Sequence, residues 1–309
     1  MTDKHIPVLL KEVIELLNPI SGKNYIDATL GFGGHSEAIL RATAPNGKLL
    51  GIDQDAEAMQ YAHKRLEPYQ TRFSTYQSNF DQIDEINLDM KLTGGILADI
   101  GVSSFQLDAP NRGFSFREDG PLDMRMDISA DLTASEIVNS YSEEEITKII
   151  KTYGEERFAK RIAGKIVESR EAQHIETTKQ LAEIVSKAIP RKFWPDRIHP
   201  ATKTFQAIRI AVNDEIGALE RFLPKAMDLL EPEARLAVIT FHSLEDRVVK
   251  NFMKKMAHPC TCPPEFPKCV CGKVARGKLI TRKAVVAIEE EIRLNPRSRS
   301  AKLRVIEKI

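Results

Sequence analysis

Residues 25–36 read YIDATLGFGGHS, and no other stretch limits the fold of this chain so strongly. A short apolar run ends in Asp27. A turn with Gly31, Gly33 and Gly34 follows, and a helical pattern opens at His35. Strand, tight turn and helix in that order point to an α/β sheet. Glycine permits positive φ and lets the backbone come close to a ligand. The unpaired N–H groups at a helix start favour an anionic group. A nucleotide-like cofactor with a carboxylate or phosphate could use such a turn.

The spacing is not the dinucleotide fingerprint, which needs G-x-G-x-x-G where this chain has G-x-G-G. An acid four positions before the first glycine resembles instead the first motif of S-adenosylmethionine (SAM) methyltransferases. In those enzymes the acid sits near the cofactor's amino group and the glycines line its methionine end. Another nucleotide, or an ordinary glycine-rich turn, remains open at this point.

Further strands are predicted at 47–53, 72–80, 94–99, 235–243 and 301–308, with a helix over Ala56–Leu66. Alternating strands and helices imply a parallel, doubly wound sheet. Ligands in such sheets sit at the C-terminal strand ends, where Asp27, Asp53, Phe80 and Asp99 all fall. Asp53 suits a ribose diol, because a carboxylate accepts hydrogen bonds from both hydroxyls; the bland reading makes it the cap of the next helix. Phe80 could lie against an adenine ring or belong to the core.

The rhythm breaks at 103–127, where turn formers mix with Phe, Leu and Met. Long irregular segments are usually functional or disordered, and this apolar content argues against disorder. From about 133 to 210 the pattern is helical, with capping boxes at Ser142–Glu145 and Thr177–Gln180. The predicted fold class is therefore α/β, a Rossmann-like sheet of the class I SAM-dependent methyltransferase kind with an inserted all-helical domain. The expected division is a discontinuous cofactor-binding domain, 1–108 and 212–309, and a substrate-recognition insert, 109–211.

Net charge is only +1, so no global field draws nucleic acid. RNA contact must then be local. The connector 190–200 is basic and aromatic, and a helix follows it. Trp194, Lys203 and Arg209, with Phe193, suit base stacking and phosphate contact, although a residue of this kind taken alone more often serves packing or the surface. Residues 266–288 carry no Asp or Glu but several Lys and Arg, either a second basic patch or a solvated loop.

All four cysteines, Cys260, Cys262, Cys269 and Cys271, lie within twelve residues. Joint use follows from such clustering, as a structural zinc or as redox-labile thiols; C-x-C pairs are tighter than the usual zinc spacing. No apolar run approaches a membrane span, and the polar start lacks a signal peptide's apolar core. A cytoplasmic protein is expected. The oligomeric state, a homodimer included, is left open.

With these stretches in view the sequence resembles the RsmH (MraW) family of bacterial 16S rRNA methyltransferases. The likeness rests on His5–Leu10 (HIPVLL), Asp27–Ser36, Asp99–Asp108 (DIGVSSFQLD), Arg112–Phe116 (RGFSF), Asp119–Asp127 (DGPLDMRMD), Tyr153–Ala159 (YGEERFA), His199–Ile210 (HPATKTFQAIRI) and Thr240–Arg247 (TFHSLEDR). It implies methylation of the exocyclic N4 of a cytidine in the decoding region, within the small ribosomal subunit. It also implies SAM contacts at Gly33, Gly34, His35, Asp53, Phe80, Asp99 and Gln106. Many amino-directed DNA methyltransferases carry an Asp/Asn/Ser-Pro-Pro-aromatic motif after the fourth strand, and here Asp99-Ile-Gly-Val-Ser-Ser stands in its place. Asp99, Ser103 and Ser104 are therefore the catalytic candidates near the amino group, with no motif to choose among them. The competing classes are a nucleotide-dependent oxidoreductase and a non-catalytic ribosome-assembly factor that binds SAM.

Overall fold

The computed structural model describes residues 6–309 apart from 89, 103–106, 108, 197, 264, 267 and 269. Ser103, Ser104, Gln106 and Cys269 thus lie outside the described residues. The chain forms two compact units, residues 1–101 with 216–309, and residues 102–215.

The first unit is built on an eight-stranded sheet. Its strands are β1 (Tyr25–Asp27), β2 (Leu49–Asp53), β3 (Phe73–Gln77), β4 (Gly95–Asp99), β5 (Arg235–Thr240), β6 (Gly277–Leu279), β7 (Val285–Val286) and β8 (Lys302–Lys308). The order is β3-β2-β1-β4-β5-β8-β6, with β7 also on β8. The first five strands are parallel, and β8 runs antiparallel between β5 and β6. The short strands β6 and β7, each paired with β8, have no counterpart among the strands the sequence predicts. The third strand ends at Gln77, so Phe80 sits beyond it in a 3₁₀ turn.

Helices α1 (Leu10–Leu17), α2 (Gly34–Ala42), α3 (Ala56–Leu66), α9 (from Ile216 to Leu229 in this unit), α10 (Ser243–Ala257) and α11 (Glu289–Leu294) cover the sheet. Alternation along each strand divides the core. Ile26, Ile52, Ile96 and Val238 pack with Leu219, Phe222 and Leu223 of α9 and Val249 and Met253 of α10. Tyr25, Leu49, Leu97 and Ile239 pack with Val13 and Leu17 of α1, Ile39 and Leu40 of α2 and Leu66 of α3. Both faces are covered, which is why β1, β2, β4 and β5 read as nearly continuous apolar runs.

The second unit holds α4 (Ala134–Ser140), α5 (Glu143–Gly154), α6 (Ala159–Ala172), α7 (Thr178–Ala188) and α8 (Thr202–Asn213). Both expected capping boxes form, at Ser142–Glu145 and Thr177–Gln180. Ile137, Ile146, Ile150, Ile162, Ile166, Leu181, Val185, Phe205 and Ile208 make its core. The irregular stretch before α4 is anchored in that core by Phe114, Leu122, Met124 and Met126. Asn213 clamps it further. Its Oδ1 accepts the Met126 N–H at 2.7 Å, and its Nδ2 donates to the Met124 carbonyl at 2.8 Å.

Candidate active site

The strand order reverses between β1 and β4, and in open α/β sheets ligands bind at that switch point. Register sharpens the crevice. Asp27, the last residue of β1, pairs with Gly51 and Leu97, whereas β2 and β4 run on to Asp53 and Asp99. The glycine turn after β1 therefore lies between two longer strands, each ending in an acid.

Asp27 is turned inward. It is 1% exposed, and its Oδ2 accepts the Ser36 hydroxyl at 2.6 Å while Oδ1 accepts the Thr29 N–H at 3.3 Å. It ties the end of β1 to the first turn of α2, and so shapes the turn from beneath. Gly33 adopts φ +72°, a conformation that a side chain disfavours, and a Cβ there would stand 3.0 Å from Leu66 Cδ1. At Gly34 a Cβ would fall on Pro7 Cγ.

Asp53 does not cap α3. That role belongs to Asp55, whose side chain accepts from the Glu57 and Ala58 amides. Asp53 reaches across instead: Oδ2 accepts the Gly31 N–H at 2.7 Å and Oδ1 the Asp55 N–H at 2.9 Å. Asp99 is held through its backbone, whose N–H donates to Thr29 Oγ1 at 2.6 Å. Its carboxylate Oδ2 lies 3.7 Å from His35 Nε2. The Asp99 side chain keeps 24% of its surface, yet Oδ1 is buried and meets no hydrogen-bond partner among the described residues. Phe80 packs edge-on against Phe222, ring centres 5.2 Å apart, and is partly buried.

These acids share an electrostatic burden. Burial pushes Asp27 up to about 6, with the neighbouring charge of Asp53 adding to it. Burial likewise raises Asp53 to about 6, against the amides that favour its charged form. Asp99 rises to about 8, first through burial, then through the negative charges of Asp27 and Glu245. Carboxyls so crowded gain from a cation or a hydrogen-bond donor and disfavour a neighbouring anion.

Thr29, Ser36, Pro7 and Glu245 take part in this site and were not singled out from sequence. Glu245 carried a readable signal. His242-x-x-Glu245 is a capping box with His at the cap, and Glu245, fully buried, accepts the Phe241 and His242 amides at 2.8 and 3.2 Å.

In the helical unit, Trp194 is 37% exposed and its indole N–H donates to the Ile189 carbonyl at 3.0 Å. Phe193, 40% exposed, carries the Arg157 guanidinium 4.2 Å from its ring centre. Lys203 is partly buried on α8, and its ammonium donates to the Glu155 carbonyl at 3.2 Å. Arg209, expected at RNA, is engaged elsewhere. Its guanidinium grips Glu215 in a fork at 2.7 and 2.8 Å, the two side chains 16 and 5% exposed. Near the other end of the chain, the sulfurs of Cys260, Cys262 and Cys271 lie within 4.8 Å of one another.

A five-strand parallel sheet in this order, with an antiparallel strand beside β5 and acids at the ends of β1, β2 and β4, defines a Rossmann-like methyltransferase. The family model described as the MraW methylase family matches residues 2–309, and the chain belongs to that family. "Ribosomal RNA small subunit methyltransferase H" of Symbiobacterium thermophilum is 52% identical over 311 residues, 100% of this chain and 98% of that protein. The proteins of that name from Heliobacterium mobile and Geotalea uraniireducens are also 52% identical, over 99% of this chain and 99 and 98% of theirs. Among solved structures, an rRNA methylase from Streptococcus thermophilus aligns over 99% of both chains at 10% identity with a TM-score of 0.43. No helix among the described residues is long and apolar enough to cross a membrane.

Proposed function

We propose that the chain transfers a methyl group from SAM to the exocyclic N4 of a cytidine in the decoding region of 16S rRNA. One observation carries the cofactor half of this reading: the convergence of Asp27, Asp53 and Asp99 around a glycine turn, all three with raised pKa. A dinucleotide would bring an anionic pyrophosphate to these acids, which argues against an oxidoreductase. SAM, when bound, supplies an activated methyl on a sulfonium and a net positive charge. The buried Asp99 Oδ1, without a partner among the described residues, fits a donor or cation of that kind. The names of the close relatives support small-subunit rRNA as substrate.

In this reading Gly33, Gly34 and His35 line the methionine end, Asp53 holds the ribose, and Phe80 lies by the adenine. Asp27 acts from below, through Ser36 and Thr29, rather than by touching the cofactor. Gln106 remains a contact proposed from the family likeness alone. The protein must align the cytidine nitrogen, methyl carbon and sulfur, and accept a hydrogen bond from the amino group as charge develops. Asp99 is the described candidate for that hydrogen bond; Ser103 and Ser104 are the others. The N4 proton leaves to such an acceptor or to water, and the cofactor's sulfur departs as a neutral thioether. Because an exocyclic nitrogen attacks directly, no cysteine nucleophile is needed. The base has to leave its stack first. Trp194 and Phe193, exposed and flanked by arginines, suit the RNA around it, with Lys203 nearby in sequence.

The test is transfer of labelled methyl from SAM to small subunits lacking the modification, followed by nucleoside analysis. Label in N4-methylcytidine is expected. Clear SAM binding with no label would remove this substrate and leave the assembly-factor reading.

A further inference from the structure

Between α10 and β6 the chain makes an excursion with little to fold on. The Arg276 amide donates to the Met256 carbonyl at 2.9 Å, so residues 257–275 leave the end of α10 and return to it. None of the described residues in this excursion is buried, and Phe266, Val270 and Val274 are 50, 72 and 80% exposed. A loop of this length without a core needs some other constraint.

The cysteines offer one. Cys260 and Cys262 stand at the start of the excursion and Cys271 near its end, yet their three sulfurs gather within 4.8 Å. A tetrahedral zinc with Zn–S bonds of about 2.3 Å sets its sulfurs roughly 3.8 Å apart. The Val270 N–H donates to Cys262 Sγ at 3.3 Å, the kind of support that outer hydrogen bonds give to metal ligands. Cations stand beside Cys260: Lys254, Lys255 and Lys273 line the same concavity, and Lys273 Nζ donates to Thr261 Oγ1 at 3.1 Å. They offset the negative charge that ligating thiolates would bring.

We propose that Cys260, Cys262 and Cys271 supply three of the four ligands of a tetrahedral structural zinc ion that cross-links residues 257–275. Each ligating thiol gives up its proton to solvent, so binding strengthens as pH rises. The zinc ties the excursion to the end of α10 and takes no part in methyl transfer. Cys269, of the same sequence pattern, lies outside the described residues.

The full chain, produced with zinc supplied and purified under reducing conditions without chelator, should carry about one zinc per molecule by mass spectrometry of its metals. Replacing it with Co(II) should give a thiolate-to-cobalt charge-transfer band and the intense d–d bands of a tetrahedral site. The double variant Cys260→Ser/Cys271→Ser should retain less than roughly a tenth of the zinc, with its main thermal transition and SAM affinity unchanged. A chelator should speed proteolytic cleavage within 257–275 of the parent protein about tenfold, and have no effect on the double variant. Three results would each overturn the proposal: a parent protein that neither carries nor takes up zinc, zinc content that survives the double substitution, or disulfides joining these cysteines in freshly prepared protein.

Discussion

The carboxylate of Asp53, at the end of β2, accepts the backbone N–H of Gly31 in the turn after β1 at 2.7 Å. The two neighbouring strand ends are therefore joined by one charged hydrogen bond at the floor of the crevice. Asp55, two residues on, faces the other way and caps α3.

This division of labour separates two adjacent acids by experiment. Asp53→Ala should weaken SAM binding by roughly 10- to 100-fold, the worth of hydrogen bonds to a charged group. Asp55→Ala should cost about 1 kcal/mol of stability through its lost cap and leave SAM affinity nearly unchanged. Calorimetric titration and denaturant melts of both variants decide the matter. The assignment fails if Asp55→Ala is the variant that loses SAM.

Asp99 predicts a pH dependence with a definite sign. A carboxyl whose folded pKa lies above its unfolded value binds more protons when folded. It stabilises fully below the unfolded pKa, and that contribution is lost as pH rises through the folded value. For Asp99 the window runs from 3.8 to about 8, and for Asp27 and Asp53 from 3.8 to about 6. Above pH ~6.5 the remaining slope belongs mainly to Asp99, at most about 1.4 kcal/mol per pH unit and less where water reaches its exposed edge. The ligand-free protein should lose stability from pH ~6.5 to ~8, and Asp99→Asn should flatten that fall. Parallel curves for the two proteins would remove Asp99 as its source.

Gly33→Ala should destabilise the protein by about 1–2 kcal/mol, the cost of a left-handed residue with a side chain. Crowding against Leu66 adds to it. Because the same residue is the N-cap of α2 at the crevice, SAM affinity should fall with stability. A variant with unchanged melting temperature would mean that the turn relaxes freely.

Trp194 and Arg209 should respond in opposite ways. Trp194→Ala should weaken RNA binding by about 1–3 kcal/mol with SAM affinity intact, as loss of a stacking platform does. Arg209→Ala leaves Glu215 buried without its cation and should cost roughly 3 kcal/mol of stability, with no RNA-specific effect once the melt is accounted for. Filter binding to the RNA, beside thermal melts, tells the two apart.

Sequence patterns reached far in this chain, and their limits have physical causes. The glycine turn and the strands ending in Asp27, Asp53 and Asp99 were legible because their signals are local: an apolar run, an acid, then a helix start. Whether Asp53 or Asp55 capped α3 was not legible, since both precede the helix and only side-chain direction separates them. The Arg209–Glu215 fork was hidden for another reason. Asp214 takes a left-handed conformation, φ 46°, between α8 and α9, so Glu215 meets Arg209 across a break rather than at helical spacing. The strands β6 and β7 span three and two residues, too short for alternation to show. The apolar content of residues 103–127 argued against disorder, but did not show that Met124 and Met126 would enter the helical core.

The placement of β8 also sets a timetable for the molecule's birth. Residues 302–308 lie between β5 and the β6–β7 pair, hydrogen-bonded on both sides. While they remain inside the ribosome's exit tunnel, β5 presents an open apolar edge and β6 and β7 have nothing to dock on. The parallel strands can gather early, but the sheet cannot close until Lys302–Lys308 has left the tunnel. During that interval the uncovered edge of β5 is open to mispairing.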